Sequence, residues 1–121
     1  MRVYSYEQAK KLIPELARTL TQMQEAVRGL AEVKRRLGEV RPSTPEHRAL
    51  LTEARFLERG LEADRAWLEA QGVVLRDLEE GVVDIPFKKE GELVYLTWKL
   101  GEEAPVYWHG VTEDPSERHP L

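Results

Sequence analysis

Residues 5–38 read SYEQAKKLIPELARTLTQMQEAVRGLAEVKRRLG, and their apolar side chains recur in alternating steps of four and three. This spacing is the heptad repeat of a helix that packs along a neighbouring helix. Ser5, followed three residues later by Gln8, is a capping-box signature for the helix start, and Gly38 is a stop signal. The predicted seam consists of Ala9, Ile13, Leu16, Leu20, Met23, Val27, Leu30, Lys34 and Leu37.

A second helix of the same kind follows a short connection. Thr44 before Pro45 places a capping residue ahead of a proline at the first helical position, and Gly72 is a left-handed terminator. Because the connection is short, the two helices are expected to run antiparallel. Residues 5–72 are therefore predicted to form a long, coiled-coil-like helical hairpin. The seam of the second helix consists of Leu50, Ala54, Leu57, Leu61, Asp64 and Leu68.

Three residues interrupt these two seams. Pro14 removes a backbone donor, so we expect a kink or a short first helix there. Lys34 lies at the loop end of the hairpin, where its long side chain can reach water. Asp64 would place a carboxylate in an apolar seam. Either it is a polar residue that fixes the register of the helices, or its side chain turns outward towards Arg65 or Arg18.

The second helix carries another apolar stripe, which we call the outer stripe. One hairpin seam cannot cover both stripes of the same helix. The outer stripe is therefore covered either by a second copy of the chain in a homodimer or by the chain's own C-terminal half. Its members are Phe56, Gly60, Ala63, Trp67 and Ala70.

The second half of the chain is predicted to be a small antiparallel β-meander. Residues 73–78, 82–85, 93–100 and 106–109 are short runs with β-branched or aromatic side chains, separated by glycine-containing turns. Pro86 is expected to end the second run. We therefore predict an α+β fold and one domain over residues 1–121, with the meander over 73–110 and an extended tail over 111–121.

Composition excludes several functional classes. Acidic and basic residues, 33% of the chain, are interleaved along the helices at a net charge of −4, which argues against a nucleic-acid partner. An arginine face over residues 48–65 leaves a polyanion partner as a weaker reading. No cysteine is present, so thiolate chemistry is excluded. We expect no membrane span and a cytoplasmic location. Abundant glutamate and arginine, with no asparagine, are typical of a thermophilic source or of a GC-rich genome.

Four polar residues in the second half are candidates for chemistry. Asp84, Glu102 and His109 lie at or beside strand ends, where a meander could bring them together. Such a set could hold a divalent metal or perform acid–base chemistry. Arg118 is a further candidate, and its pairing with Asp84 or Glu102 would make the group structural. No organic cofactor is predicted, and the residues leave open whether the protein is an enzyme.

Six short runs stand out in combination: Tyr6–Ala9, Leu12–Leu16, Leu78–Pro86, Leu96–Glu102, Tyr107–His109 and Arg118–Leu121. Together they resemble an uncharacterised bacterial and archaeal family, domain of unknown function 2203. The resemblance spans nearly the whole chain and implies no activity. It directs attention to the candidates above and to Gly81, Pro86, Trp98, Gly101 and Trp108.

The functional hypothesis at this level is a small cytoplasmic interaction protein that self-associates through its helices. The homodimer contact would be the face formed by Phe56, Gly60, Ala63 and Trp67. The alternative is a metal-binding or hydrolytic site built from Asp84, Glu102 and His109.

Overall fold

Two long helices precede a five-stranded sheet in the computed structural model, which describes residues 2–121. The predicted α+β class, a helical hairpin followed by an antiparallel meander, is confirmed. The elements are α1 (Tyr6–Leu37), α2 (Pro45–Ala70), β1 (Val74–Asp77), β2 (Val82–Lys89), β3 (Glu92–Lys99), β4 (Tyr107–Gly110) and β5 (His119–Pro120).

Helix α1 begins at the predicted capping box. The Ser5 hydroxyl accepts from the Gln8 backbone N–H at 3.1 Å, and the Gln8 side chain accepts from the Ser5 N–H at 2.9 Å. The expectation of a short first helix at Pro14 is wrong, because α1 continues through Pro14 to Leu37. Pro14 is exposed, so water can satisfy the carbonyl that loses its partner one turn earlier.

The predicted α1 seam is fully buried only in the first half of the helix, where Leu16, Leu20 and Met23 have no exposed area. Farther along, Leu30 and Leu37 are half-buried, but Val27 is 45% exposed and Lys34 is exposed. Val33, next to Lys34, is buried. At this end of α1 the contact face therefore includes Val33 in place of Lys34.

Helix α2 begins at Thr44, whose hydroxyl accepts from the His47 N–H at 3.1 Å. Gly72 follows the helix in the left-handed conformation, with φ of 74°, as predicted. Leu50 and Leu68 are buried against α1 and the core, while the four seam residues between them are half-buried. Among residues 2–121, neither helix combines the length and apolar character that crossing a bilayer requires.

The sheet is a meander in which each strand pairs antiparallel with the next, in the order β1-β2-β3-β4-β5. The expectation that Pro86 ends the second strand is wrong, since β2 runs on to Lys89. The Pro86 carbonyl accepts from the Tyr4 N–H at 2.9 Å, on the edge beyond the end of β1. The nitrogen of a strand residue points the same way as its carbonyl, so the missing donor removes no bond to β3.

Part of the C-terminal tail, which was predicted to be an extended segment, pairs with the sheet as a short β-strand. His119–Pro120 forms β5 beside β4, and the Leu121 N–H donates to the Val106 carbonyl at 2.8 Å. The tail therefore adds a fifth strand to the predicted meander.

One face of the sheet packs on the helices. Val83 and Ile85 of β2, with Leu96 and Trp98 of β3, contribute to the same core as α1 and α2. Because strand side chains alternate between faces, the residues between them, including Asp84 and Thr97, lie on the face that points away from the helices. We call this the outer sheet face. The buried core consists of Tyr4, Ala9, Leu12, Ile13, Leu16, Leu20, Met23, Leu68, Val73, Val83, Ile85, Leu96 and Trp98.

Substitution of Gly81 tests how tightly the β1–β2 turn docks on β3. Gly81 has φ of 74°, and a Cβ there would lie 2.6 Å from the Leu100 Cβ. Gly91 also has a positive φ, 86°, but nothing lies within 4 Å of its Cβ position. Both alanine variants incur the left-handed penalty of about 1–2 kcal/mol. Gly81→Ala should lose about 1–3 kcal/mol more because of the clash. Urea unfolding measures both losses, and equal losses would contradict the close approach.

Candidate functional site

Four strands bring one polar side chain each to a single point on the outer sheet face. Asp84 in β2 pairs with Thr97 in β3, and His109 in β4 pairs with Tyr95 in β3. Arg76 comes from β1, across the tight turn that leads into β2. Two of the four sequence candidates, Asp84 and His109, therefore meet, and they meet with two residues that the sequence did not single out.

The Asp84 carboxylate is the centre of this cluster. Its Oδ2 accepts from the Arg76 Nε at 2.5 Å and lies 2.9 Å from the His109 Nε2. Its Oδ1 accepts from the Thr97 hydroxyl at 3.1 Å. We call Arg76, Asp84, Thr97 and His109 the carboxylate cluster. A single carboxylate thus bonds to side chains from three other strands of the sheet.

The His109 ring is held at both nitrogens. Its Nδ1 lies 3.0 Å from the Gly110 carbonyl oxygen. Because a carbonyl oxygen can only accept, Nδ1 carries a hydrogen in this arrangement. The contact between His109 Nε2 and Asp84 Oδ2 then holds one proton between its two atoms. Both heteroatoms of the ring are satisfied by the protein, which leaves neither directed at an external ligand.

Burial separates the cluster from solvent on all sides but one. Asp84 is 0% exposed and His109 is 1% exposed, whereas the Arg76 side chain is 35% exposed. The Tyr95 ring covers His109, with ring centroids 5.6 Å apart, and the Arg76 guanidinium lies 5.5 Å from the Tyr95 ring centroid. A carboxylate this deeply buried must be fully hydrogen-bonded to be tolerated, and Asp84 is.

Glu102 does not join the carboxylate cluster. Its Oε1 accepts from the Lys99 backbone N–H at 2.8 Å, and its carbonyl accepts from the Trp98 indole Nε1 at 2.9 Å. The prediction that Asp84, Glu102 and His109 converge is therefore wrong for Glu102. The side chain caps the turn that ends β3, because a backbone donor three residues away is closer than a group on another strand.

Arg118 also lies away from Asp84. Its guanidinium stacks over the Tyr107 ring, 5.0 Å from the ring centroid. The suggested pairing of Arg118 with Asp84 or Glu102 is not formed, and Arg76 pairs with Asp84 instead. The available signal for Arg76 was an arginine that follows three apolar residues of the predicted strand, one tight turn before Asp84. A bulge in the β1–β2 pairing between Leu75 and Asp77 obscures the register.

The predicted divalent-metal set is not assembled. Within residues 2–121, no group of three or more His, Asp or Glu side chains is arranged to hold a metal ion. Asp84 and His109 supply two ligand atoms, fewer than the three or four protein ligands typical of zinc sites. Both of those atoms already bond to each other.

A second, smaller cluster anchors the tail. Glu113 Oε1 accepts from the Gly110 N–H at 2.7 Å, and His119 Nε2 lies 3.0 Å from Glu113 Oε2. The His119 ring packs on Trp108, with centroids 4.6 Å apart. The Gly110 N–H, together with His119, lowers the pKa of the Glu113 carboxyl. The lowered pKa means that the ionised form holds the tail.

Fold and site together define a small α+β protein in which a helical hairpin supports an antiparallel sheet with a buried carboxylate–imidazole–guanidinium cluster. The chain belongs to the family described as "Uncharacterized conserved protein (DUF2203)", whose model matches residues 2–121. The resemblance seen in the sequence is thereby confirmed. No curated protein and no solved structure matches the chain.

Replacing Asp84 tests whether the carboxylate cluster holds the sheet together. Asp84→Ala leaves His109 buried without its partner, so we expect a loss of about 3–5 kcal/mol in the free energy of unfolding. Glu102→Ala, the matched control, removes one turn hydrogen bond and should lose about 1 kcal/mol. Urea unfolding of both variants decides the matter. Equal losses would show that the cluster is not a structural centre.

Acid should weaken the hold of Glu113 on the C-terminal tail. The Glu113 pKa is lower in the folded chain than its ordinary value of 4.5. The contribution of Glu113 is therefore fully present above that ordinary value and is lost as the pH falls through the lower folded value. NMR of the Leu121 amide and the His119 ring across acidic pH should report this transition. Glu113→Gln should show the released spectrum at neutral pH, and an unchanged spectrum in that variant would refute the anchoring role.

Proposed function

We propose that this is a small cytoplasmic interaction protein that forms a homodimer through the outer stripe of α2. The observation that carries the proposal is the exposure of Phe56, which is 74% and the highest among the large exposed hydrophobic side chains of residues 2–121. An aromatic ring on the middle of a helix loses several kcal/mol of stabilisation if it stays in water.

The rest of the outer stripe supports contact with another helix. A Cβ added at Gly60 would meet nothing within 4 Å, and Ala63 is exposed. Small residues at these two positions let a second backbone approach closely. Trp67 is half-buried and packs against the core. Packing against the core therefore includes Trp67, whereas Phe56, Gly60 and Ala63 are exposed in the part of the chain that the structure describes.

The spacing of the outer stripe favours a helix as the covering element. The steps from Phe56 to Gly60, Ala63 and Trp67 are four, three and four residues, which is the heptad pattern of a second seam on α2. The outer stripe of a second copy has the same spacing. Two copies can therefore pack stripe against stripe, as an isologous contact requires. Two hairpins joined in this way would form a four-helix arrangement.

A measurement of the molecular mass in solution tests the proposed self-association directly. Sedimentation or light scattering of the full chain at micromolar concentration should give twice the chain mass of 14.0 kDa. Phe56→Glu removes about 2 kcal/mol of burial per copy, so the dimer should weaken by about three orders of magnitude. Val111→Glu is the matched control, because Val111 is 51% exposed but lies outside the outer stripe. A wild-type monomer, or equal effects of the two substitutions, would overturn the proposal.

A further inference from the structure

Asp64 is a carboxylate without an ionic partner at the border between the two seams of α2. It is half-buried, and it shares a small surface cavity with Glu15, Arg18 and Thr19 of α1 and with Trp67. No Lys, Arg or His nitrogen of residues 2–121 lies within 4.0 Å of its carboxylate, Arg18 included. Burial raises the pKa of the Asp64 carboxyl. The outward ion pair of Asp64 with Arg65 or Arg18, one of the two alternatives raised by the sequence, is therefore not formed among the described residues.

Arg59 is a cation that lacks an ion-pair partner among the described residues. It is exposed, and no ion pair within 4.0 Å involves it in the described chain. In the heptad of the outer stripe, Arg59 precedes Gly60 and borders one edge, whereas Asp64 follows Ala63 and borders the other. These are the g and e positions, five residues apart, which meet between two parallel helices.

Resting on the proposed homodimer, we propose that the two α2 helices pack in parallel, with Arg59 of each copy paired to Asp64 of the other. The partner copy then supplies the cation that Asp64 lacks, and it does so twice because of the two-fold symmetry. The outer stripe is covered by the same contact. Both sheets lie at one end of the assembly and both hairpin loops at the other.

An antiparallel pairing does not satisfy the same charges. Antiparallel helices bring like edges together, so Asp64 meets e positions and Arg59 meets g positions. When the antiparallel pair is centred between Gly60 and Ala63, Asp64 lies beside Leu57 of the other copy. Arg59 then lies beside Ala66 of the other copy. A shift of one heptad in either direction brings Arg59 opposite Arg59 or Asp64 opposite Asp64. Of these arrangements, only the parallel one joins Arg59 to Asp64.

Disulfide trapping distinguishes the two orientations, because the native chain contains no cysteine. Glu53 and Ala70 continue the outer stripe in its heptad spacing and are exposed. In a parallel pair, position 53 lies opposite position 53, and position 70 opposite position 70. In the antiparallel pairs, the two copies of either position are separated by about 15 Å or more along the axis, at about 1.5 Å per residue. A disulfide requires Cα atoms within about 7 Å.

The expected result is a covalent dimer from Glu53→Cys alone and from Ala70→Cys alone after mild oxidation of the full-length protein. Glu69→Cys, on the far side of α2, is the control and should give none. A covalent dimer formed only when Glu53→Cys and Ala70→Cys are mixed would overturn the parallel orientation and leave the homodimer intact. A monomeric wild-type protein would instead overturn the proposed function, and this proposal with it.

A charge exchange tests the Arg59–Asp64 pair itself. Arg59→Asp places like charges opposite each other and should raise the dimer Kd by about tenfold or more. The double variant Arg59→Asp with Asp64→Arg restores opposite charges and should recover most of the wild-type Kd. Circular dichroism of each variant confirms that the helices remain folded. A folded double variant as weak as Arg59→Asp alone would overturn the pairing, while the trapping result reports the orientation separately.

Discussion

The Asp84 carboxylate is the interaction on which the sheet depends. Three donors reach it from three different strands, Arg76 from β1, Thr97 from β3 and His109 from β4. A buried charge with fewer donors would cost several kcal/mol, so any slip in register that removes one of these bonds is strongly disfavoured. The cluster therefore selects one alignment of four strands and keeps their apolar residues on the helix side.

Two carboxylates of the chain, Asp84 and Asp64, behave in opposite ways. Asp84 finds three partners inside the chain, and two of them, Arg76 and His109, pack against the Tyr95 ring. Asp64 is half-buried on α2 and finds no cation there. A satisfied charge stabilises one fold, whereas an unsatisfied one beside an exposed apolar stripe indicates a missing neighbour. This contrast moves the functional interpretation from the sheet to the outer face of α2.

Local sequence rules predicted the helices and strands better than they predicted which residues of different helices and strands contact each other. The capping box at Ser5, the proline start at Pro45 and the glycine stop at Gly72 are all in place, because each depends on residues within one turn. Pro14 and Pro86 did not end their elements, since an exposed carbonyl and a free sheet edge made the lost donors harmless. Glu102 was expected among distant groups and instead bonds to the nearest backbone donor.

Heptad spacing and strand alternation were sufficient to establish the hairpin, the meander and a second apolar stripe that needs cover. These patterns are periodic along one chain segment, so they can be read without knowing what lies opposite. The identity of the Asp84 partners, the shift of the α1 seam to Val33 and the isolation of Asp64 required the folded chain. Each depends on the register between segments far apart in sequence, and register is set by the packing of the whole core rather than by any one segment.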